Sequence, residues 1–389
     1  MSINHLAIKM SFDSFEVGVR CFTYNHAKYI EETMNGFAMQ QTSFPYICVI
    51  VDDASTDDEA SVIQNYVDNN FDAEDATTAR KEENDDYIVT FARHKTNKNC
   101  FFAVYLLKYN HYSIRKSKMP YIAKITDCVK YLAICEGDDY WIDQQKLQTQ
   151  FDYMDNHPQC TMTCHRAQLY SEKSNKIIGE QYCRNSDGDL SPVDIINRTG
   201  LFIPTCSIMY RPEIRKNYPD YCQNCNVGDY PLQITAAMKG SVYYFNKSMS
   251  VYRIGNITSW MGRQRHESTD PARLKVVCGQ KKMFEGFAKD YPQYKKVMQD
   301  KISEHILRNM PRPKASNNDE MLEYQKIFSE VFDNLSYYWK LYYFACKSRI
   351  PYVKKLFRRI VVHNYTTKQL IYRSPRHRLI AFLKIANNT

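Results

Sequence analysis

The sequence predicts an α/β fold in which a mostly parallel, mixed sheet is flanked by helices. Between residues 15 and 159, short apolar runs alternate with helical patterns, which is typical of βαβ units. One of these runs, Tyr46–Val51, is apolar without interruption, as expected for a strand buried on both faces of a parallel sheet. The chain has 389 residues, of which 44% are hydrophobic and 24% charged, so it can bury a sizeable core.

The elements of this first part are predicted from apolar spacing in chain order. The predicted strands are Val17–Phe22, Tyr46–Val51, Tyr87–Ala92 and Tyr131–Cys135. The predicted helices are 27–39, a region around Phe102–Tyr112, and a helix that carries Leu147, Phe151 and Met154. The acidic segment 72–86 is weakly hydrophobic and is therefore predicted to be a solvated loop.

Residues 1–262 are predicted to form one domain with two halves, 15–159 and 160–262, followed by a helical, basic region over 263–389. The N-terminus lacks the pattern of a signal peptide, and no run of 18 apolar residues occurs, so we expect a cytoplasmic protein without a spanning helix. The 13 cysteines are odd in number and irregularly spaced, which favours reduced thiols. Cys222 and Cys225 have the spacing of a zinc-binding pair, and buried or loop thiols are the alternative.

Carboxylates follow two of the predicted strands at the point where each ends. Asp52 and Asp53 come directly after Tyr46–Val51, and the sequence Glu-Gly-Asp-Asp over 136–139 follows Tyr131–Cys135. Ligands of open α/β sheets bind beyond the carboxyl ends of the strands. A divalent cation relieves the repulsion among such carboxylates, and Mg²⁺ binds through one or two of them together with substrate phosphates. The pattern therefore predicts Mg²⁺ or Mn²⁺ with a phosphate-bearing ligand; a capped turn without metal is the alternative.

The glycine-rich phosphate loops of other nucleotide-binding proteins are absent from the sequence. Neither G-x-x-x-x-G-K-[ST] nor a G-x-G-x-x-G after the first strand occurs, which disfavours P-loop NTPases and nicotinamide enzymes. The first strand leads instead into Thr-Tyr-Asn-His over 23–26, which offers a ring to stack on a base and polar groups to hydrogen-bond it.

These segments together resemble the bacterial glycosyltransferase family 2. The resemblance rests on CFTYNHAKYIEETMNGFAMQ, VIVDDASTD and CEGDDYWIDQQKLQTQFDYM in that order, and it continues through 204–211, 228–232 and 251–253. It covers residues 15–262 and implies a GT-A fold, which is Rossmann-like, and inverting transfer of a sugar from a nucleotide-sugar. The last third of the chain carries no motif of this family.

The resemblance also implies roles for individual residues. Those expected at the donor nucleotide are Thr23, Tyr24, Asn25, Asp52 and Asp53, with Glu136 at the ribose. Asp138 is expected to ligate the metal, with support from Asp139, and Asp229 to be the catalytic base. Candidate phosphate or sugar contacts are Arg93, Asn99 and Trp260. Asp229 is also suited to cap the helix 232–239, and both roles are compatible. His26, His94 and His165 are expected to be structural.

The charge of the chain is unevenly distributed. Its total is +9, but residues 334–389 carry +12 and no acidic residue, so the preceding part is slightly acidic. Within 352–363, apolar residues at helical spacing form one face and Lys354, Lys355, Arg358 and Arg359 lie on another. Such a helix suits an anionic membrane surface; packing on the catalytic domain is the alternative. Binding of nucleic acid is disfavoured because no corresponding motif accompanies the charge.

The expected function is that of a metal-dependent, inverting glycosyltransferase in cell-surface polysaccharide assembly, peripheral to the cytoplasmic face of the membrane. Its expected donor is a UDP-sugar and its expected acceptor a saccharide or a lipid-linked sugar. Two alternatives stay open: a nucleotidyltransferase, whose phosphate loop is not visible here, and a noncatalytic module that binds a nucleotide or sugar.

Overall fold

The structure is a computed structural model that describes residues 15–72, 79–198, 202–223, 225, 228–255 and 270–309, with single positions at 322, 326, 329, 332, 333 and 340. The chain divides into two compact units: Met1–Tyr218 with Asp229–His266, and Pro219–Gly228 with Glu267–Thr389. The predicted domain boundary at residue 262 lies outside the described residues.

The first unit is built on a sheet with a parallel centre. Its four central strands are β1 (Val17–Thr23), β2 (Tyr46–Asp52), β5 (Cys100–Leu107) and β6 (Tyr131–Ile134), adjacent in the order β6-β1-β2-β5. β2 is buried along its whole length because its alternate residues face two separate core clusters, one on each side of the sheet. The predicted α/β fold with helices flanking a mixed sheet is confirmed.

One edge of this sheet is antiparallel and corrects two predictions. The segment around 102–112, predicted to be helical, is largely the strand β5, and β4 (Tyr87–Arg93) pairs with it as an antiparallel neighbour. The acidic segment 72–86, predicted to be a loop, contains the short strand β3 (Arg80–Glu83) on the far side of β4. All four side chains of β3 are exposed, so it adds no apolar signal to the sequence.

The other side of the sheet mixes strand directions. Its strands are β7 (Tyr140–Trp141), β8 (Cys160–Ser171), β9 (Lys176–Gln181), β10 (Gly188–Asp189), β11 (Met209–Tyr210) and β12 (Ser241–Ile254). β11 joins this part to β6 by antiparallel pairing, while β8 and β12 run parallel to each other. β7 pairs with β12 directly after the acidic turn 136–139, which ties that turn to the long strand β12.

Helices cover the faces of this sheet. They are α1 (Ile30–Ala38), α2 (Glu59–Asn70), α3 (Met119–Thr126), α4 (Lys146–Asn156), α5 (Pro192–Arg198), α6 (Glu213–Lys216) and α8 (Asp229–Lys239), with a 3-10 turn at Thr205–Ser207. α1 presents Ile30, Met34 and Phe37 to the core, as its spacing predicts. The close approach of α1 to β7 requires Gly36, where an added Cβ would lie 2.9 Å from the backbone nitrogen of Trp141.

The second unit is helical in its described part. It contains α7 (Asp220–Gln223), α9 (Asp270–Asp290), a 3-10 turn at Pro292–Tyr294 and α10 (Lys295–Asn309). The Tyr221 ring packs over Gly286, whose added Cβ would lie 2.2 Å from it, and the Tyr221 hydroxyl donates to Asp290 at 2.7 Å. No helix within the described ranges has the length and apolarity needed to cross a membrane. The predicted amphipathic segment 352–363 lies outside the described residues.

Candidate active site at the carboxyl ends of the central strands

The strand register brings the sequence motifs together. Thr23 pairs with Asp52 where β1 and β2 end, and β6 lies on the other side of β1. The chain after β6 stays against β1, because the Gly137 amide donates to the Phe22 carbonyl at 3.1 Å. The segments 23–26, 52–57 and 136–139 therefore meet at one edge of the sheet, as the sequence predicts.

Gly137 is required by this close approach. A Cβ at this position would lie 2.0 Å from the Thr23 hydroxyl oxygen and 3.2 Å from the His26 ring. Any side chain would push the acidic turn away from β1, so glycine between Glu136 and Asp138 keeps both carboxylates beside the end of β1.

The three carboxylates of the acidic turn have different surroundings. The Arg20 guanidinium donates to Glu136 at 3.2 Å, and the Glu136 side chain stays 31% exposed. Burial raises the pKa of Glu136, and Arg20 opposes that rise. Asp138 is 14% exposed in its side chain. Asp139 is buried and accepts the backbone N–H of Arg253 at 2.8 Å; burial, followed by the charge of Asp138, raises its pKa well above the usual range. This contact gives Asp139 a structural task, so its predicted support of the metal stays a prediction.

Arg253 of β12 holds the acidic turn from behind. Its guanidinium donates to the Asp138 carbonyl at 2.7 Å, pairs with Glu32, and lies 3.6 Å from Glu172. It also stacks over Tyr140, with 4.5 Å between the guanidinium carbon and the ring centroid. None of these contacts involves the Asp138 carboxylate, so Arg253 orients the turn and leaves that carboxylate for another partner.

Residues at the predicted nucleotide pocket are held by a loop-to-loop hydrogen-bond network. Asn25 adopts a positive φ of 58°, its amide donates to the Ser55 hydroxyl at 2.9 Å, and its side-chain oxygen accepts from the Thr56 amide at 2.8 Å. Tyr24 is half-buried beside it. The loops after β1 and β2 are thus fastened to each other where the sequence predicts the nucleotide.

Asp52 carries an unusual proton balance. The Ser55 hydroxyl contacts both Asp52 and Glu59 (2.7 Å to the latter), yet it has one proton to donate. Burial raises the pKa of Asp52 to about 7, so a protonated Asp52 can donate to Ser55 while Ser55 donates to Glu59.

Asp53 contacts a different part of the chain from Asp52. Its two oxygens accept the His111 amide at 2.7 Å and the Tyr112 amide at 3.2 Å, and Lys118 pairs with it at 2.6 Å. These contacts fix the loop 110–118 against the end of β2. The Asp53 side chain is 2% exposed and already accepts these three donors, and its predicted contact with a base stays a prediction.

Asp229 is remote from the acidic turn in the sequence, but both are affected by the charge of Arg20. It begins α8 and accepts the Thr205 hydroxyl at 2.9 Å. Burial raises its pKa, and the hydrogen bond from Thr205, together with the more distant charge of Arg20, opposes the rise. The same Arg20 contacts Glu136, so one buried cation acts on both carboxyls. The helix begins at Asp229 and not at residue 232, so Asp229 is the first residue of α8, and the predicted N-cap position is wrong by one residue.

Two of the three candidate phosphate or sugar contacts lie away from the acidic turn. Arg93 ends β4 opposite Phe101, and Asn99 precedes β5, where its side chain donates to the Thr42 carbonyl at 2.6 Å. Both lie at the amino ends of the parallel strands, opposite the edge that carries Asp52. The physical reason is the misassigned helix: because β5 is a hairpin partner, β4 runs antiparallel and delivers Arg93 to the other edge. Trp260 lies outside the described residues.

Sequence reasoning missed Arg20 and Glu59. Arg20 is a buried charge within the apolar strand β1, and such a residue signals a nearby carboxylate. Glu59 is fully buried at the start of α2, where it accepts from Thr23, from the His26 amide at 2.9 Å, and from Ser55. No comparable signal marks Glu59, because acidic residues are common in first turns of helices.

The metal prediction rests on few protein ligands. Within the described ranges, no group of three or more His, Cys, Asp or Glu side chains is arranged to hold a metal ion. Asp138 is accompanied by the His26 Nε2 atom, which is buried without a hydrogen-bond partner and lies 3.8 Å from the Asp138 carboxylate. A carboxylate beside an orphaned ring nitrogen fits a divalent cation that takes its other ligands from a substrate diphosphate and water.

Residues 21–101 match the model of glycosyl transferase family 2. The matched segment contains the loops after β1 and β2 and ends before Glu136 and Asp229. The predicted resemblance is confirmed over these residues.

An uncharacterised protein of Mycobacterium tuberculosis strain H37Rv (Rv1520) and one of Mycobacterium bovis (Mb1547) are each 30% identical over 239 residues, which is 59% of this chain and 56% of each relative. The chain thus spans about half the length of these relatives.

Solved structures give weaker similarities. Staphylococcus aureus TarS 1–349 in complex with UDP is 13% identical, with a TM-score of 0.48 over 91% of this chain and 92% of that one. The mannosyltransferase PcManGT of Pyrobaculum calidifontis, in complex with GDP-Man and Mn²⁺, is 13% identical, with a TM-score of 0.45 over 91% and 87%. At TM-scores below 0.5, these similarities carry no argument about the site of this chain.

Proposed function

We propose that this chain, a glycosyltransferase with family 2 sequence over residues 21–101, transfers a sugar with inversion from a UDP-sugar to a hydroxyl group. The acceptor is a saccharide or a lipid-linked sugar in the assembly of cell-surface polysaccharide. The donor nucleotide lies against 23–25 and 52–53, and Glu136 accepts hydrogen bonds from the ribose.

The observation that carries this proposal is that carboxylates of different character are linked through one buried cation, Arg20, which contacts Glu136 and acts on Asp229. Asp138 is partly exposed beside an orphaned ring nitrogen, whereas Asp229 is held by Thr205 and has its pKa raised by burial. A phosphate-binding group and a proton acceptor are the two functions that inverting transfer needs. Arg20 favours the ionised form of both Glu136 and Asp229, because its positive charge opposes the rise in pKa that burial causes in each.

Asp229 acts as the base of the reaction. Its carboxylate takes the proton of the acceptor hydroxyl, the hydroxyl oxygen forms a bond to the anomeric carbon, and the bond from that carbon to the diphosphate oxygen breaks. Asp138 would hold the divalent cation, which would neutralise the charge that develops on the departing diphosphate. The raised pKa of Asp229 suits this task, because a base is most effective when its pKa approaches the working pH.

Paired substitutions test the two roles separately. A panel of nucleotide-sugars, UDP-sugars among them, is screened for stabilisation of the full chain against heat in the presence and absence of Mn²⁺, and then for transfer. We expect Asp138→Asn to lose the Mn²⁺-dependent stabilisation and the transfer together. We expect Asp229→Asn to keep the stabilisation and lose at least about 100-fold in kcat, as is typical of a lost acid–base group.

Two outcomes would contradict the proposal. Undiminished transfer in the presence of EDTA would show that the reaction needs no divalent cation. Undiminished transfer by Asp229→Asn would show that another residue is the base. Binding of a nucleotide-sugar by the wild-type chain without hydrolysis or transfer to any acceptor would favour a noncatalytic module. Asp187→Asn, an exposed aspartate on the segment before β10, is the control for loss of a carboxylate.

A further inference from the structure

His26 is buried, yet one of its ring nitrogens has no partner. The residue is 8% exposed, and its Nε2 atom makes no hydrogen bond among the described residues. An unpaired buried polar atom is costly, so native proteins leave few of them without a reason such as a bound ion. The atom lies at the edge that carries the acidic turn, where its nearest charged group is the Asp138 carboxylate.

The hydrogen bonds around the ring determine which nitrogen carries the proton. The Thr23 hydroxyl has one proton and donates it to Glu59, which also accepts the His26 amide. Thr23 can therefore only accept from the His26 Nδ1 atom, 3.1 Å away. The proton of a neutral His26 ring sits on Nδ1, and Nε2 keeps its lone pair.

This arrangement is the one that metal-binding histidines use. A ligating imidazole usually donates its second ring N–H to a carboxylate, directly or through another group, and so fixes its tautomer and orientation. Here Glu59 holds His26 through the Thr23 hydroxyl. Glu59 is itself fully buried, so the chain from Glu59 through Thr23 to His26 is built into the protein interior.

The separation between His26 and Asp138 agrees with a shared ion. Nε2 lies 3.8 Å from the Asp138 oxygen, which is too far for a hydrogen bond. Two atoms that bind one cation at about 2.1 Å each lie roughly 3 to 4 Å apart, depending on the angle between them. With a lone pair on Nε2 and a carboxylate opposite, a cation between them would satisfy both.

We propose that the His26 Nε2 atom is a protein ligand of the divalent cation together with Asp138, an inference that rests on the proposed metal-dependent function. A nitrogen ligand favours Mn²⁺ or Co²⁺ over Mg²⁺, which prefers oxygen. The chain therefore binds Mn²⁺ more tightly than Mg²⁺, and His26 causes a large part of the difference.

Electron spin-echo spectroscopy of Mn²⁺ tests this ligation without measuring turnover. The full chain is loaded with Mn²⁺ and UDP, and in a second sample with Mn²⁺ and GDP. We expect the modulation that a directly bound ¹⁴N nucleus produces, and its loss in His26→Gln. We also expect His26→Gln to weaken Mn²⁺ binding about 10- to 100-fold, by analogy with changes at other metal-site residues, and to change Mg²⁺ binding less.

Controls separate this proposal from the function on which it rests. His157→Gln, at a histidine that follows α4 and contacts the Tyr153 carbonyl at 2.7 Å, should keep the ¹⁴N signal and the affinity. Mn²⁺ binding that is lost in Asp138→Asn but shows no ¹⁴N coupling would overturn the role of His26 and leave the metal-dependent function intact. Absence of Mn²⁺ binding with either nucleotide would overturn both. The signal of the wild-type chain decides the question even where His26→Gln fails to fold.

Discussion

Asp229 illustrates how one side chain can serve a helix and a reaction. It lies in the first turn of α8, where the helix dipole stabilises a negative charge, and the Thr205 hydroxyl donates to it. Burial acts in the opposite direction and raises its pKa. The balance of these effects sets the pH at which Asp229 can accept a proton. Thr205, which is not expected to contact the acceptor, should therefore influence the pH dependence of transfer.

Thr205→Val is predicted to shift the pH profile of transfer. The change keeps the shape of the side chain but removes the donor that lowers the pKa of Asp229, so that pKa rises. Because the base must be deprotonated, the acidic limb of kcat/KM should move to higher pH. A hydrogen bond to a charged group contributes about 1.5 to 3 kcal/mol, and at a partly exposed carboxyl we expect a shift of about one pH unit.

Thr205→Ser serves as the matched control, since it keeps the hydroxyl and should leave the acidic limb in place. A valine variant with an unshifted limb and reduced kcat at every pH would show that Thr205 acts by packing and that another group titrates in the profile.

At the same scale, the neighbouring aspartates of the second loop show where sequence reasoning ends. Their position after β2 is evident from the apolar run that precedes them. Their roles are not, because Asp52 is bound to Ser55 whereas Asp53 holds the loop 110–118. Successive side chains of an extended segment point to opposite sides, so the two contact parts of the chain that are remote in sequence.

Among the elements, β5 shows why a short apolar run is ambiguous. Its sequence, CFFAVYLL, has no polar residue, so neither an alternating nor a helical period can be recognised. Its pairing with β2 and β4 settles the matter in the structure. The prediction of a helix around 102–112 also affected β4. A helix after β4 would make β4 parallel to its neighbours, whereas the hairpin to β5 makes it antiparallel and places Arg93 at the opposite edge.

Two of the strands that were predicted correctly, β2 and β6, share a physical property. β6, and β2 as far as Val51, are buried along their whole length, so each must be continuously apolar. β3, by contrast, is an exposed edge strand whose stability comes from backbone pairing with β4, and its charged side chains suit such an edge. Backbone pairing leaves no trace in side-chain composition, which is why β3 was missed.

The first residue of α4 supports a prediction about stability. Lys146 is fully buried, donates to Gln150 at 2.7 Å, and lies over the Trp141 ring at 4.0 Å. Burial lowers its pKa to about 7, whereas an unfolded lysine titrates near about 10.4. Between these values the unfolded chain binds a proton that the folded chain does not, so this lysine makes the free energy of unfolding rise with pH.

Lys146→Met is expected to remove that contribution. Methionine has a similar length and no charge, so the variant should gain stability relative to the wild type by about 1.4 kcal/mol for each pH unit below 10, down to about pH 7. Urea unfolding of both proteins at pH 7, 8, 9 and 10 measures the difference, in which all other titrating groups cancel. Lys176→Met, at an exposed lysine of β9, controls for loss of a surface charge. Parallel curves for Lys146→Met and the wild type would contradict the assigned burial of a neutral amine.

At the scale of the whole molecule, the charge distribution divides the chain more sharply than its total suggests. Residues 1–333 carry a net charge of −3 and residues 334–389 carry +12. The acidic part contains the site, whose carboxylates are balanced by Arg20, Lys118 and Arg253. The basic part contains no acidic residue of its own, and the sequence predicts that it binds a surface of opposite sign.

Sedimentation with vesicles tests whether that surface is a membrane. Each Lys or Arg near an anionic leaflet contributes about 1 kcal/mol, so neutralising four of them should weaken binding strongly. We expect the full chain to sediment with vesicles that contain phosphatidylglycerol and to remain in solution with phosphatidylcholine alone. Replacing Lys354, Lys355, Arg358 and Arg359 by Gln should abolish sedimentation at low salt, whereas the same change at Lys281, Lys282, Lys295 and Lys296 should not. Equal sedimentation of both variants would assign the segment 352–363 to packing within the protein, because its apolar face would then be covered by the chain itself.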